Sequence, residues 1–202
     1  MINPKYSRLI KISILCIIGA ILNYVMSTLG LHVLHLPLFL DTIFNVAVTF
    51  TAGLIPGLAT VVLFSAIGWT IRAGSISPFI LCGIAEVLIV WLLKPAEPSD
   101  ISRPADAFSV HIRTYARLML LYIVAFLSIS ILGGTIDFIF YTLLPNTKQY
   151  YSAEDTFKII FSQNNIPVLA TNILSRIPVN VIDRFIVIFG GWFISRGVKK
   201  IL

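Results

Sequence analysis

The chain has 202 residues, of which 57% are hydrophobic and only 12% charged, with a mean hydropathy of +0.93 and a net charge of +6. A soluble domain carries about a quarter charged residues and lacks apolar runs near the ~20 residues that cross a hydrocarbon core, so this composition excludes one. The positive charge requires no nucleic-acid partner: no basic patch with interleaved aromatic residues is present, and basic residues collect in the cytoplasmic loops of membrane proteins.

The first apolar stretch, residues 9–29, follows Lys5, Arg8 and Lys11. No small-x-small cleavage site follows it, so it reads as a retained span and not a signal peptide. Ser13, Cys16, Ala20 and Asn23 form a stripe of small residues, suited either to packing within the chain or to docking on a partner. Cys16 and Cys82 both lie in apolar runs without a CxxC, which supports neither a disulfide framework nor a zinc site. His32 and His35 follow in a short connection ending at Pro37; two imidazoles without a third ligand are weak grounds for a metal.

From Leu38 to Arg72 the chain is almost continuously apolar, too long for one ordinary span. The Gly53-Leu-Ile-Pro-Gly57 turn signal divides it into two short antiparallel spans, 38–54 and 57–72. Asp41 and Asn45, four apart, share a face continued by Thr49; Asp41 is open to two readings, a helix cap or a ligand contact. The fourth span, 78–94, carries Glu86 at its middle. A carboxylate at that depth is protonated, paired with an arginine or in contact with a ligand.

A loop rich in proline and charge leads to the fifth span, 115–140, long enough to tilt or break at Gly133-Gly134, with Asp137 near its end. Residues 145–163 are polar and contain Tyr150, Tyr151, Glu154, Asp155 and Lys158, a surface connection with room for a short amphipathic helix. The last span, 166–196, contains Pro167 and Pro178, and a break is expected near Pro178. Asn172, Arg176, Asn180 and Asp183 recur at spacings of four, four and three, which places them on one face. A charged group within a span costs about 2.5–3.5 kcal/mol, so this face is expected to line a binding site.

Ten basic residues fall on the side of the termini, three on the other and two within the last helix. The expected fold is therefore a single all-α integral membrane domain of six transmembrane helices in the cell membrane, both termini cytoplasmic. Arg176 offers a planar cationic fork for a carboxylate or phosphate, the asparagines offer donors and acceptors, and Trp69, Tyr122 and Tyr141 are candidates for stacking. No nucleotide loop or hydrolase motif is present, so no enzyme and no cofactor is expected, and transport would need a partner.

Leu36-Pro-Leu-Phe-Leu-Asp41-Thr-Ile, the Gly53-Leu-Ile-Pro-Gly-Leu hairpin and Ile177-Pro-Val-Asn-Val-Ile-Asp-Arg-Phe-Ile-Val before a basic tail together resemble the substrate-binding S components of energy-coupling factor (ECF) vitamin transporters. The resemblance implies capture of a water-soluble vitamin or precursor from outside and docking on a transmembrane coupling subunit driven by two ATPases. It implies ligand contacts from Asp41, Asn45, Asn172, Arg176, Asn180 and Asp183, beside Glu86 as a candidate from its depth. Cys16 and Ala20 stand where the family presents an alanine pair to the coupling subunit. Two other classes remain open at this point: a membrane sensor or interaction module without transport, and an integral-membrane enzyme. Asp137, Glu86, His32 and His35 do not converge by spacing on a catalytic set.

Overall fold

The structure, a computed structural model, describes residues 4–30, 38–71, 77–95, 104–143 and 155–200. His32, His35, Pro37, Arg72, Lys148, Tyr150, Tyr151 and Glu154 lie outside them, as does the side chain of Tyr141. Among the described residues there is helix and no strand. The helices are α1 (Pro4–Thr28), α2 (Ile43–Ala52), α3 (Leu54–Ile71), α4 (Ile80–Leu93), α5 (Pro104–Asp137), α6 (Asp155–Gln163) and α7 (Val168–Val198), and α5 continues as a π-helical stretch over Phe138–Leu143.

Within α1, α3, α5 with its π-helical continuation, and α7 lie four segments, Tyr6–Thr28, Leu54–Ile71, Ser109–Phe140 and Val168–Val198, that are long and apolar enough to cross a membrane. With 10 and 14 residues, α2 and α4 are apolar but short. At ~1.5 Å per residue they cover about 15 and 21 Å of a core ~30 Å thick.

The exterior is apolar and the interior partly polar. Ile10, Ile14, Ile17 and Ile21 of α1 are about half exposed, whereas Asn23, Asn45, Thr49, Thr60, Glu86, Ser130, Asp137, Asn180 and Asp183 are buried. That inversion suits a lipid surround, where side-chain polar groups must find partners inside the bundle.

The hydrophobic core joins Ile43, Val46 and Phe50 of α2, Val90 of α4, Leu118, Leu121 and Ala125 of α5, and Val187 and Ile188 of α7. The last helix runs through the middle, packed on α5, α2 and α6. Leu40 meets Asp183, and Ile43 meets Gly190 and Gly191, so α2 and α7 run in the same direction.

The hairpin between α2 and α3 forms at a single residue. Gly53 adopts φ 96°, a left-handed conformation that glycine reaches without a Cβ clash. The helices fold back closely enough that a Cβ at Gly57 would collide with the Thr49 side chain.

Two expected breaks do not occur. Across Gly133-Gly134, α5 is helical without interruption, and the missing side chains serve contact instead: a Cβ at Gly134 would stand 2.6 Å from Ile173 Cα. Pro178 lies inside a continuous α7, with Pro167 capping its start. Pro178 leaves only the Leu174 carbonyl without its i+4 donor, and packing against α5 and α2 holds the helix through that gap.

Cys16 and Ala20, expected to face a coupling subunit, are 5% and 0% exposed. The Cys16 thiol donates to the Pro56 carbonyl at 3.4 Å, and the adjoining Gly19 abuts Thr60 and Val48. The docking assignment for these two side chains is corrected: their small size serves the approach of α1 to α2 and α3 within the chain.

Candidate functional site

The four polar residues of α7 all face inward: Asn172, Arg176, Asn180 and Asp183 are 7%, 5%, 1% and 0% exposed. Periodicity placed them on one face, and the bundle buries that face. Arg176, Asn180 and Asp183 then meet separate partners, at successive depths.

Nearest the Val168 end, Arg176 donates through Nε and Nη2 to Asp137 Oδ2 at 3.1 and 3.0 Å. Gly133 makes room for it: a Cβ there would stand 2.7 Å from Arg176 Nη1. Phe79 and Phe39 flank the guanidinium, with its carbon 4.7 and 5.7 Å from the ring centroids, within cation–π range. Lys158 of α6 also reaches Asp137 Oδ2 at 3.1 Å and pairs with Asp155 at 3.2 Å. This short amphipathic helix therefore lies over the end of the bundle and tethers itself to the same carboxylate. One turn deeper, Asn180 Nδ2 donates to Ser130 Oγ at 2.9 Å.

About 12 Å below Arg176, by helical rise, lies a second charged layer. Arg184 Nη1 donates to Glu86 Oε1 at 2.6 Å and to Thr42 Oγ1 at 2.9 Å, and its Nη2 donates to Asp183 Oδ2. The other oxygen of Asp183 accepts the backbone N–H groups of Phe39 and Leu40 at 3.1 and 2.9 Å.

Residues 38–42 are not helical, although they meet α7 about 22 Å from its Val168 end. Irregular backbone at membrane depth is tolerated where it is buried in protein or lines a polar cavity. Here a carboxylate supplies the acceptors that a helix would have provided. Leu40 is held there at φ 46°, a left-handed conformation that costs a non-glycine residue about 1–2 kcal/mol. Asp41 sits between Leu40 on Asp183 and Thr42 on Arg184, within electrostatic reach of Asp183, Arg184 and Glu86. It is not a helix cap: α2 begins after Thr42, whose side chain makes no capping bond.

The remaining candidate on α2, Asn45, accepts from Asn23 Nδ2 at 2.8 Å, while Asn23 Oδ1 accepts the Phe44 N–H at 2.9 Å. Asn45 thus joins α1 to α2. Trp69 is half exposed on α3, and Tyr122 donates to the Val181 carbonyl at 3.0 Å.

Four buried polar atoms have no hydrogen-bond partner among the described residues: Glu86 Oε2, Arg184 Nε, Asn180 Oδ1 and Asn45 Nδ2. Two of them belong to the Arg184 layer and a third to the turn above it. Leaving such groups unmatched costs about 1–3 kcal/mol each, and more for charged ones. This is a polar interior with binding capacity to spare.

Arg184, Asp137, Ser130, Thr42, Phe39 and Phe79 were not among the site residues expected from sequence. For Arg184 a signal exists in hindsight, since it extends the spacing of four through Asn172, Arg176 and Asn180. The others arrive from distant elements by tertiary packing. Comparison of the chain with protein-family models, with curated proteins and with solved structures finds no match in any of the three.

Proposed function

We propose that this chain is a membrane-embedded substrate-binding subunit that captures a water-soluble vitamin or related small molecule from outside the cell. In this reading it is the S component of an ECF-type importer, with six membrane segments, cytoplasmic termini, and a coupling subunit and two ATPases as partners. The chain itself takes no catalytic step and needs no cofactor.

The observation that carries the proposal is the non-helical segment 38–42, held at depth on Asp183 beside the unmatched polar atoms of Glu86 and Arg184. Broken backbone with spare polar groups near the bilayer midplane is how transport proteins build small-molecule sites. The order of groups supports the same reading, since Lys158, Arg176, Asn180 and Arg184 descend one wall of the bundle. The four long apolar helices and the Gly53 hairpin fit the resemblance drawn from sequence.

The test is mass spectrometry of small molecules released from detergent-purified protein, run beside Asp41→Asn with its folding checked by size exclusion. A vitamin-sized compound present in the first and depleted in the second is the expected result. Absence of any compound, together with no thermal stabilisation by a vitamin panel, would count against capture. Co-purification with a coupling subunit and ATPases tests the transporter assignment separately. A retained ligand without those partners would favour a sensing or interaction module.

A second reading has its own observation. Arg176 and Arg184 each bond carboxylates on other helices, so these charges also hold the bundle together. Capture and cohesion are compatible here, because the unmatched atoms belong to residues whose other atoms are already anchored.

A further inference from the structure

We propose that a groove between α1 and α7 seats one acyl chain of an anionic phospholipid, whose phosphate is held by Arg8, Lys11, Lys199 and Lys200. The site lies on the outside of the bundle, and it stands or falls independently of ligand capture in the interior.

Both α1 and α7 pack on α2, but among the described residues they do not pack on each other. A groove of ≈ 190 Å³ opens there, walled by Leu15, Ile18 and Leu22 of α1 and by Ile194 and Val198 of α7, with Thr51 among the α2 residues between them. Thr51 brings the one polar side chain of the lining, and its hydroxyl donates to the Ala47 carbonyl of its own helix at 2.7 Å. No side chain therefore offers a hydrogen bond to an occupant. Ile18 and Leu22 are exposed, so the groove faces the surround and not the core.

The two ends of the groove differ in charge. Asn23 meets Asn45 and Gly19 meets Val48, so α1 runs opposite to α2, while α2 and α7 run together. Leu15, Thr51 and Val198 consequently mark the same end. On α1, Arg8, Lys11, Leu15, Ile18 and Leu22 follow at spacings of three, four, three and four, a single stripe. Lys11 and Arg8 thus continue that wall for about 6 and 10 Å past Leu15. On α7, Lys199 and Lys200 directly follow Val198. All four cations are exposed, and the sequence has no acidic residue before Asp41 or after Asp183.

An apolar slot between helices that ends in basic side chains at headgroup level matches the two halves of an anionic phospholipid. In the orientation proposed above, this end lies in the cytoplasmic leaflet, where such lipids concentrate. Other occupants fit less well. A helix is ~10–12 Å across, so one lying along Leu15–Leu22 would need several times the volume of the groove. A second copy of the chain in the same membrane orientation would bring its own Arg8 and Lys11 to the same level, and like charges would meet.

The test is native mass spectrometry of the detergent-purified protein, titrated with phosphatidylglycerol or phosphatidylcholine carrying identical chains. A cation near a membrane surface strengthens anionic-lipid binding about fivefold, so the first phosphatidylglycerol should bind at least about tenfold tighter than the first phosphatidylcholine. Neutralising Arg8, Lys11, Lys199 and Lys200 together to glutamine should bring the two lipids within about twofold. These side chains are exposed, so the fold should survive their replacement. Thr51→Phe, or Val198→Phe from the other wall, should fill the groove and weaken the first phosphatidylglycerol at least about fivefold, with folding checked by size exclusion.

Equal affinity for the two lipids in the unaltered protein would overturn the proposal, as would a preference that survives neutralisation. So would undiminished binding in a folded phenylalanine variant. A dimer that forms in place of the tight lipid complex would assign the groove to a second copy.

Discussion

The Asp183 carboxylate holds the backbone of Leu40, with one oxygen accepting the Leu40 and Phe39 N–H groups while the other receives Arg184. A single side chain thus fixes a left-handed residue and neutralises part of a buried cation. Asp183→Ala should cost about 3–5 kcal/mol, because it strands both sets of donors. Asp183→Asn, which keeps a carbonyl acceptor for Leu40, should lose less. Thermal unfolding in detergent separates the two; equal losses would show that the backbone clamp contributes little beyond the charge.

The two buried arginines should differ in the damage their loss causes. Arg184→Ala leaves Glu86 and Asp183 without their cation, and a fall of about 3–5 kcal/mol is expected. Arg176→Ala leaves Asp137 still bound by Lys158, so the loss should be nearer 1.5–3 kcal/mol, roughly that of its charged hydrogen bonds. A larger loss at Arg176 than at Arg184 would contradict the described pairing.

The glycines make a graded set. Gly134→Ala forces a Cβ onto the Ile173 backbone and should destabilise by about 1–3 kcal/mol. Gly53→Ala meets no neighbour but retains the strained φ, for an expected cost of about 1–2 kcal/mol. Gly68→Ala lies in open space inside α3 and should stabilise by about 0.5–1 kcal/mol. A fall in melting temperature for Gly68→Ala, or none for Gly134→Ala or Gly53→Ala, would reject the corresponding backbone placement.

Asn23 and Asn45 join α1 to α2 through a buried amide pair. A double-mutant cycle to alanine should give a coupling near 0.6 kcal/mol, with ~1.7 as the upper end for such bonds in membrane bundles. Zero coupling would mean that the two residues act through separate partners.

Much of this arrangement was legible from residue spacing. The inward face of α7 and the glycine hairpin follow from helical periodicity and turn chemistry, and the burial of Glu86 from its place within an apolar run. The pairings did not follow. Glu86 takes Arg184, 98 positions away, a choice set by how α4 and α7 each pack on α2 and α5. Pro178 and Gly133-Gly134 carry local signals for breaks, yet tertiary packing keeps both helices continuous. Cys16 and Ala20 show the same limit from the other side: a small-residue stripe specifies close approach without specifying whose helix approaches.

The depth of residues 38–42 also has an electrical meaning. If Val168 marks the outer surface, a charged ligand that reaches Asp41 has passed about 22 Å of a core ~30 Å thick, and so about three quarters of the transmembrane field. An inside-negative potential of 100 mV then contributes about 1.7 kcal/mol for each positive charge brought there, taken from ~2.3 kcal/mol for a full crossing. An energised membrane would favour cations and disfavour anions at that depth by roughly tenfold in occupancy. Detergent-solubilised protein has no such field, so its affinity would understate that for a cation, and overstate that for an anion, in a polarised cell.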